Sequence, residues 1–293
     1  MTERNIVSVS EYNSWRNCGE AAYRKYVLNE RGEPPTPELV RGSVVHRVAC
    51  INLRAKKSEA ARPCGTEETM ALADAAWSEA LDKNGVRFSG AEQEEGSSVV
   101  LGKEHDRAVR LSALHVEKIV PEVTPIEVEE DYTSEHPLSI LGDQHLRGIL
   151  DLVDRPSPGP SGMTVIRDMK TSKSKKSAFE VYGSFQLVIQ AILYRLKTGK
   201  RPDAARLDVL VSTKGGKNTA PKTYVQEGLP LVTVEEDDEA RVLEAMGRVV
   251  AMRKAGIPTP PATTGRDWFC SQKWCPFTGD CRFYNRRADS HAR

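Results

Sequence analysis

The chain has 293 residues, 39% hydrophobic and 28% charged, which is enough for the packed core of one large or two ordinary domains. With 42 basic and 41 acidic residues the net charge is +1, so a polyanionic partner would have to be met by local patches rather than by bulk charge. No run of about 18 apolar residues and no signal-like N-terminal stretch is present, so we expect a soluble, cytoplasmic protein with no membrane partner.

Helical signals dominate the first part. Ser10 is placed to cap a helix through "EYNSWRNCGEAAYRKYVL", where Tyr12, Trp15, Ala22, Tyr23 and Tyr26 recur near helical spacing. Thr36 as N-cap and Pro37 at the first helical position open a second helix, "TPELVRGSVVHRVACINLRAKK". Two more are expected at about 66–82 and 98–119, separated by the turn-rich "KNGVRFSGAEQEEGS". From Thr124 the period changes to two. "TPIEVEEDYT", "HLRGILDLVDR" and "MTVIRDMK" read as strands, the last two joined by the reversal "PSPGPSG". A helix at about 178–197, the strands "RLDVLVST" and "KTYVQEG", and a helix at 236–255 follow, and "AGIPTPPATTG" leads to a cysteine-bearing tail. This order predicts a mixed α/β (α+β) core rather than repeated βαβ units. It divides into a mainly helical part (1–122), a core (123–255) and a cysteine segment (256–293), which we expect to form one domain.

Four separated pieces carry chemistry. Asp168 and Lys170 in "DMK" stand two apart on a strand, so both side chains leave one face. Asp151 in "RGILDLVDR" lies on the preceding strand; if the two strands pair, both carboxylates can hold one or two hard divalent cations through oxygen. In "GSVVH", Gly42 and His46 share a helical face, where glycine admits a close neighbour and histidine offers an imidazole. Gln186, Gln190 and Tyr194 form a polar stripe on the helix after "DMKTSKSKK". Each piece has a plainer reading as surface charge, core histidine or solvent-facing stripe; their order along the chain is the informative feature.

Taken together, "GSVVH", "GILD", "DMK" and "QAILY" match in order the GxxxH, GxxD, DxK and QxxxY motifs of the PD-(D/E)XK nuclease superfamily, and the chain resembles its RecB-like branch. The resemblance covers nearly the whole chain, with residues 58–120 the least matched. It implies a restriction-endonuclease-like mixed central sheet flanked by helices, acting on DNA at ends or single strands as a metal-dependent exonuclease. His46, Asp151, Asp168 and the Met169 carbonyl would bind Mg2+ or Mn2+ and Lys170 would position the attacking water, with Gln190 and Tyr194 positioning the DNA or that lysine. Lys173, Lys175, Lys176, Arg282, Arg286 and Arg287 would contact phosphates. No G-x-x-x-x-G-K-[ST] loop is present, so unwinding would fall to a helicase or recombination partner. The setting could be phage recombination, repair or CRISPR-associated processing. A cluster-stapled binding module without catalysis and a flap endonuclease are the alternatives.

Six cysteines in such a chain point to thiols or metal ligation rather than disulfides. Cys270, Cys275 and Cys281 fit neither paired C-x-x-C arms nor a compact ferredoxin run and need a distant fourth ligand. The same resemblance supplies it: RecB-like nucleases of the CRISPR-associated kind carry a 4Fe-4S cluster on one early and three late cysteines, which here makes Cys18 the early ligand. Zinc suits four thiolates as well. Cys50 reads as a small buried hydrophobe and Cys64 as a loop residue. Trp268, Phe269, Trp274 and Tyr284 would either shield such a cluster or stack on unpaired bases.

Overall fold

The computed structural model describes residues 5–30, 32–58, 60–156, 162–213, 215, 221–256 and 270–281. Its centre is a six-stranded mixed sheet of β1 (Ile6–Ser8), β2 (Pro125–Thr133), β3 (His145–Asp154), β4 (Val165–Ser172), β5 (Ala204–Ser212) and β6 (Thr223–Val225). The order is β1-β3-β4-β5-β6, with β2 lying antiparallel along β3. β3 and β4 are antiparallel, while β1 runs parallel to β3 and β4 parallel to β5.

Helices cover both faces. On one face α1 (Val9–Asn17), α2 (Gly19–Tyr26), α8 (Phe185–Thr198) and α9 (Glu236–Ala255) bury Tyr12, Trp15, Leu187, Ile192 and Met246 against Leu150, Ile166 and Val209. On the other, α3 (Pro37–Lys57), α4 (Thr66–Asn84) and α6 (Ser97–Lys118) bury Val45, Trp77 and Leu111 against Val128, Leu152 and Met169. Each fully buried aliphatic side chain contributes roughly 1.5–3 kcal/mol before chain entropy is counted, so the two clusters hold the sheet from both sides. The mixed α/β architecture expected from the element order is present.

Local details depart from expectation. Ser8, not Ser10, caps the first helix by accepting from the Glu11 N–H, and the helix breaks at Cys18, whose backbone is extended at φ −159°. The stretch predicted as turns contains a short helix, α5 (Gly90–Glu95), with Ser89 and Glu92 forming a capping box. The single helix expected over 178–197 is two, α7 (Ala178–Tyr182) and α8, separated at Gly183 and Ser184. Ser184 caps α8 by accepting from the Leu187 N–H. β1 was not foreseen, because three residues carry no measurable period.

Candidate active site

β3 and β4 pair only from Leu152 to Asp154 against Val165 to Arg167 and then separate. The pleat of β3 slips at the same place: Leu150 faces the α8 side while Leu152 faces α3. Across the ladder the neighbouring pairs Val128–Leu152 and Glu130–Leu150 put Glu129 opposite Asp151, and Glu129 has φ +50°. A non-glycine residue there is uncommon and marks a local distortion of the strand. Asp151 Oδ2 reaches across the opening and accepts the Met169 N–H at 2.9 Å, which satisfies a donor that the ladder has released. His46 on α3 approaches the same carboxylate, Nδ1 to Oδ2 at 3.5 Å.

Asp168 is fully buried. Its Oδ1 accepts from Gln186 Nε2 at 2.5 Å and from Gln190 Nε2 at 3.1 Å, both on α8. Its Oδ2 lies 2.7 Å from Lys170 Nζ and has no other polar partner among the described residues. Lys170 Nζ also donates to Gln186 Oε1 at 3.0 Å, so Gln186 bridges the acid and the amine. Burial first, and then the charge of Asp168, pushes Asp151 up to about 6 despite His46, the Met169 N–H and Lys170. A buried acid and a half-buried one, with too little positive charge between them, form a site that favours a cation.

The glycine of "GILD" explains how α8 comes so near. A Cβ on Gly148 would lie 2.8 Å from Leu193 Cδ1, the end of a side chain that would have to shift, so the glycine leaves room for α8 to pack closely on β3. Gly42 has no such role, since a Cβ there would meet Thr171 Oγ1 at an ordinary 3.6 Å rather than a crowding backbone. Gln186, the first residue of the polar stripe, does what was expected of Gln190 and Tyr194: it holds Lys170, while Gln190 holds Asp168. Its place four residues before Gln190 was the available signal. Tyr194 instead packs, half-buried, against the core cluster around α8.

Beneath the opening, a buried network missed by sequence reasoning ties three strands together. Arg167 donates to Asp154 at 2.9 Å and to both oxygens of Asp208 at 2.7 and 3.0 Å, and Asp154 accepts the Thr124 N–H. A small pocket of about 30 Å³ beside it is lined by His46, Cys50, His115, Glu129, Asp151 and Asp208. Burial pushes His115 down to about 4, so it is neutral, and pushes Cys50 up to about 12 with help from Glu129, so its thiol is unreactive.

The basic residues divide. Lys173 is engaged by Glu38 at 2.8 Å and by Glu104 at 3.5 Å. Burial alone would raise Glu38, but Lys173 and Lys273 hold it down to about 2. Lys176 pairs with Glu180 at 2.8 Å, and Lys175 lies 5.9 Å above the Tyr224 ring. Arg282, Arg286 and Arg287, with Trp268, Phe269 and Tyr284, lie outside the described residues.

The cysteine segment docks on the N-terminal helices. Arg24 takes both oxygens of Asp280 at 2.7 Å and stacks over Phe277, and the Glu33 N–H donates to the Pro276 carbonyl. Lys273 reaches Glu38 at 3.0 Å and Glu92 at 3.4 Å, and Arg87 donates to the Gln272 and Lys273 carbonyls. Cys18 and Cys275 are buried with Ala21 and Phe277, and none of the six cysteines forms a disulfide. Burial raises Cys18, and the nearby thiols of Cys281 and Cys270 raise it further. Cys275 is pushed up to about 12 by burial and then by Cys18, Cys270 and Cys281, so the four thiols share one neighbourhood. Among the described residues, no three His, Cys, Asp or Glu side chains are closed into a ready metal cage, and no helix is long and apolar enough to cross a membrane.

A family model described as the PD-(D/E)XK nuclease superfamily matches residues 6–282. No curated protein matches the chain.

Proposed function

Because the chain belongs to the PD-(D/E)XK nuclease superfamily, we propose that it is a metal-dependent DNA exonuclease acting at ends or single strands, with a 4Fe-4S cluster on Cys18, Cys270, Cys275 and Cys281. The observation that carries the catalytic reading is Asp168 Oδ2, an oxygen inside the protein that meets only the Lys170 ammonium, beside a second acid raised to about 6. These donors suit a hard divalent cation, and His46, Asp151, Asp168 and the Met169 carbonyl would hold it. Such a cation, when bound, polarises the phosphate, lowers the pKa of a water and steadies the leaving oxygen. Lys170, fixed by Gln186, positions the attacking water and offsets charge growing on the phosphorane. Gln190 aims Asp168 from behind.

The thiols support the cluster through their chemistry. Burial and then the neighbouring thiols raise Cys18 and Cys275, and a cationic core would relieve that penalty and tie α2 to the C-terminal segment. Phosphate contacts fall to Lys175 and to the arginines at 282, 286 and 287, with unwinding supplied by a partner protein.

Labelled linear single-stranded DNA incubated with Mn2+ tests the reading. Wild-type protein is expected to release nucleotides from ends and leave circular strands intact, and Asp168→Ala to be inactive. Equal traces for the two proteins would overturn catalysis at this site. Anaerobically purified protein is expected to be brown and to carry iron, and a colourless zinc protein would remove the cluster while leaving the nuclease.

A further inference from the structure

Resting on the nuclease reading, we infer that Phe179 and Tyr182 on α7 form a stacking platform for an unpaired base of the DNA strand that reaches the site. Phe179 is 85% exposed and Tyr182 58%, which makes them the two most exposed large hydrophobic side chains among the described residues. They stand three apart on one face of the helix, while Val181 is buried in the core behind them. No ring and no cation engages Phe179 among the described residues, so its ring meets solvent. The helix beneath is held in place. Ser177 and Glu180 close its first turn as a capping box, and the Gln226 side-chain amide donates to the Lys176 carbonyl and accepts the Lys176 N–H, both at 2.7 Å. The rings are therefore presented on an ordered support, which lowers the cost of binding.

A lone exposed apolar residue is ordinary on any protein. What assigns these two is place and charge. α7 lies on the stretch of chain between Lys170 in β4 and Gln186 in the first turn of α8, the two side chains that bond each other at 3.0 Å in the site. One turn of helix and the link to Gln186 put the Phe179 backbone at most about 20 Å from that of Gln186, a span of about six stacked nucleotides. Lys175, just before the helix, has only the Tyr224 ring near it and no carboxylate partner among the described residues, so its charge is open to the phosphate beside a stacked base. Glu180, the acid between the rings, is neutralised by Lys176 at 2.8 Å. Two side chains fall far short of the roughly 20–30 residues a side that a stable protein interface takes, whereas a base needs a single aromatic face. A base paired inside a duplex has its faces covered by its neighbours, so the platform selects unpaired strands.

Fluorescence anisotropy on the full chain without divalent cations reads binding apart from cleavage. The probes are a labelled oligothymidylate, versions with one abasic site moved stepwise inward, and a duplex of the same length. Phe179→Ala is expected to weaken single-strand binding on the order of tenfold. Phe179→Leu should lose as much, because it keeps bulk without a π-face, while Phe179→Trp retains affinity and Tyr182→Ala loses several-fold. Duplex binding should not change in any of them. Phe179 projects from the surface, so its replacement removes no core packing. The slope of log affinity against log salt should stay at the wild-type value in Phe179→Ala and flatten by about one in Lys175→Ala. At one abasic position the advantage of wild type over Phe179→Ala should vanish. Wild-type affinity in either alanine variant of the two rings or in Phe179→Leu, a flattened slope in Phe179→Ala, an equal deficit on duplex, or a deficit of the same size at every abasic position would overturn the platform. Cleavage by wild type together with unchanged binding in Phe179→Ala removes the platform alone. Wild-type protein that neither binds nor cleaves DNA removes the nuclease reading as well.

Discussion

Replacing Asp151 with asparagine keeps the acceptor for the Met169 N–H and removes the charge, so it isolates what that charge costs. The carboxyl is raised from 3.8 to about 6, first by burial and then by Asp168. At 1.36 kcal/mol per unit of pKa, the cost of ionising it in the folded chain approaches about 3 kcal/mol, an upper value because the side chain is 23% exposed. The sign follows from linkage. The folded pKa lies above the unfolded one, so the favourable contribution is complete below about 3.8 and is lost as pH rises through about 6. Urea denaturation in the absence of divalent cations, at steps between pH 4 and pH 8, reads this directly. Wild-type stability should fall relative to Asp151→Asn across pH 4–7 by up to about 3 kcal/mol, and Mn2+ should restore the wild type but not the variant. Parallel profiles for the two proteins, with no selective rescue by Mn2+, would refute the claim that this acid is ionised at a cost awaiting a cation.

Two further outcomes concern the scaffold. Arg167→Met removes the guanidinium from the buried acids Asp154 and Asp208, leaving Asp208 only Arg206 at 3.1 Å, and is expected to destabilise the protein by about 3–5 kcal/mol in urea denaturation; a change under about 1 kcal/mol would show that the network bears little of the load. Gly148→Ala drives a Cβ to 2.8 Å from Leu193 Cδ1 and should cost about 1–3 kcal/mol in the same assay, with nuclease rate falling as α8 is pushed off Asp168. Recovery of that rate in Gly148→Ala/Leu193→Ala would tie the loss to this contact.

The sequence made visible what is written locally. Strands β2 to β5 are runs of eight to ten residues carrying aliphatic and β-branched side chains between turn signals, and α3 announces itself with Thr36 and Pro37, so the layers and most element types could be read from it. What escaped depends on pairing over distance. β1 is a strand only because His145 to Arg147 offer it an edge. The Arg167 network joins residues from three strands, and arginine in a strand otherwise reads as solvent-facing. Lys173 and Lys176 lie in a basic run that looked open to phosphate, yet Glu38, Glu104 and Glu180 come from other elements to meet them. A charge run seen in sequence carries no information about the acids that fold will bring beside it.

The break between α7 and α8 was also invisible, and it determines how the site is built. An uninterrupted helix from residue 178 would bury its interior amides in their own turn-to-turn bonds and leave its direction to the flanking loops. The chain instead stops at Gly183 and restarts at Ser184, whose hydroxyl caps the new helix, so Gln186 enters in the first turn. One turn later Gln190 points the same way, and the two amides converge on Asp168 Oδ1 while Gln186 also receives Lys170. Gly148 then leaves room for the Leu193 side chain of that helix against β3. Three local decisions, a break, a cap and a missing Cβ, thus fix an acid and an amine that the sequence shows only as neighbours two residues apart.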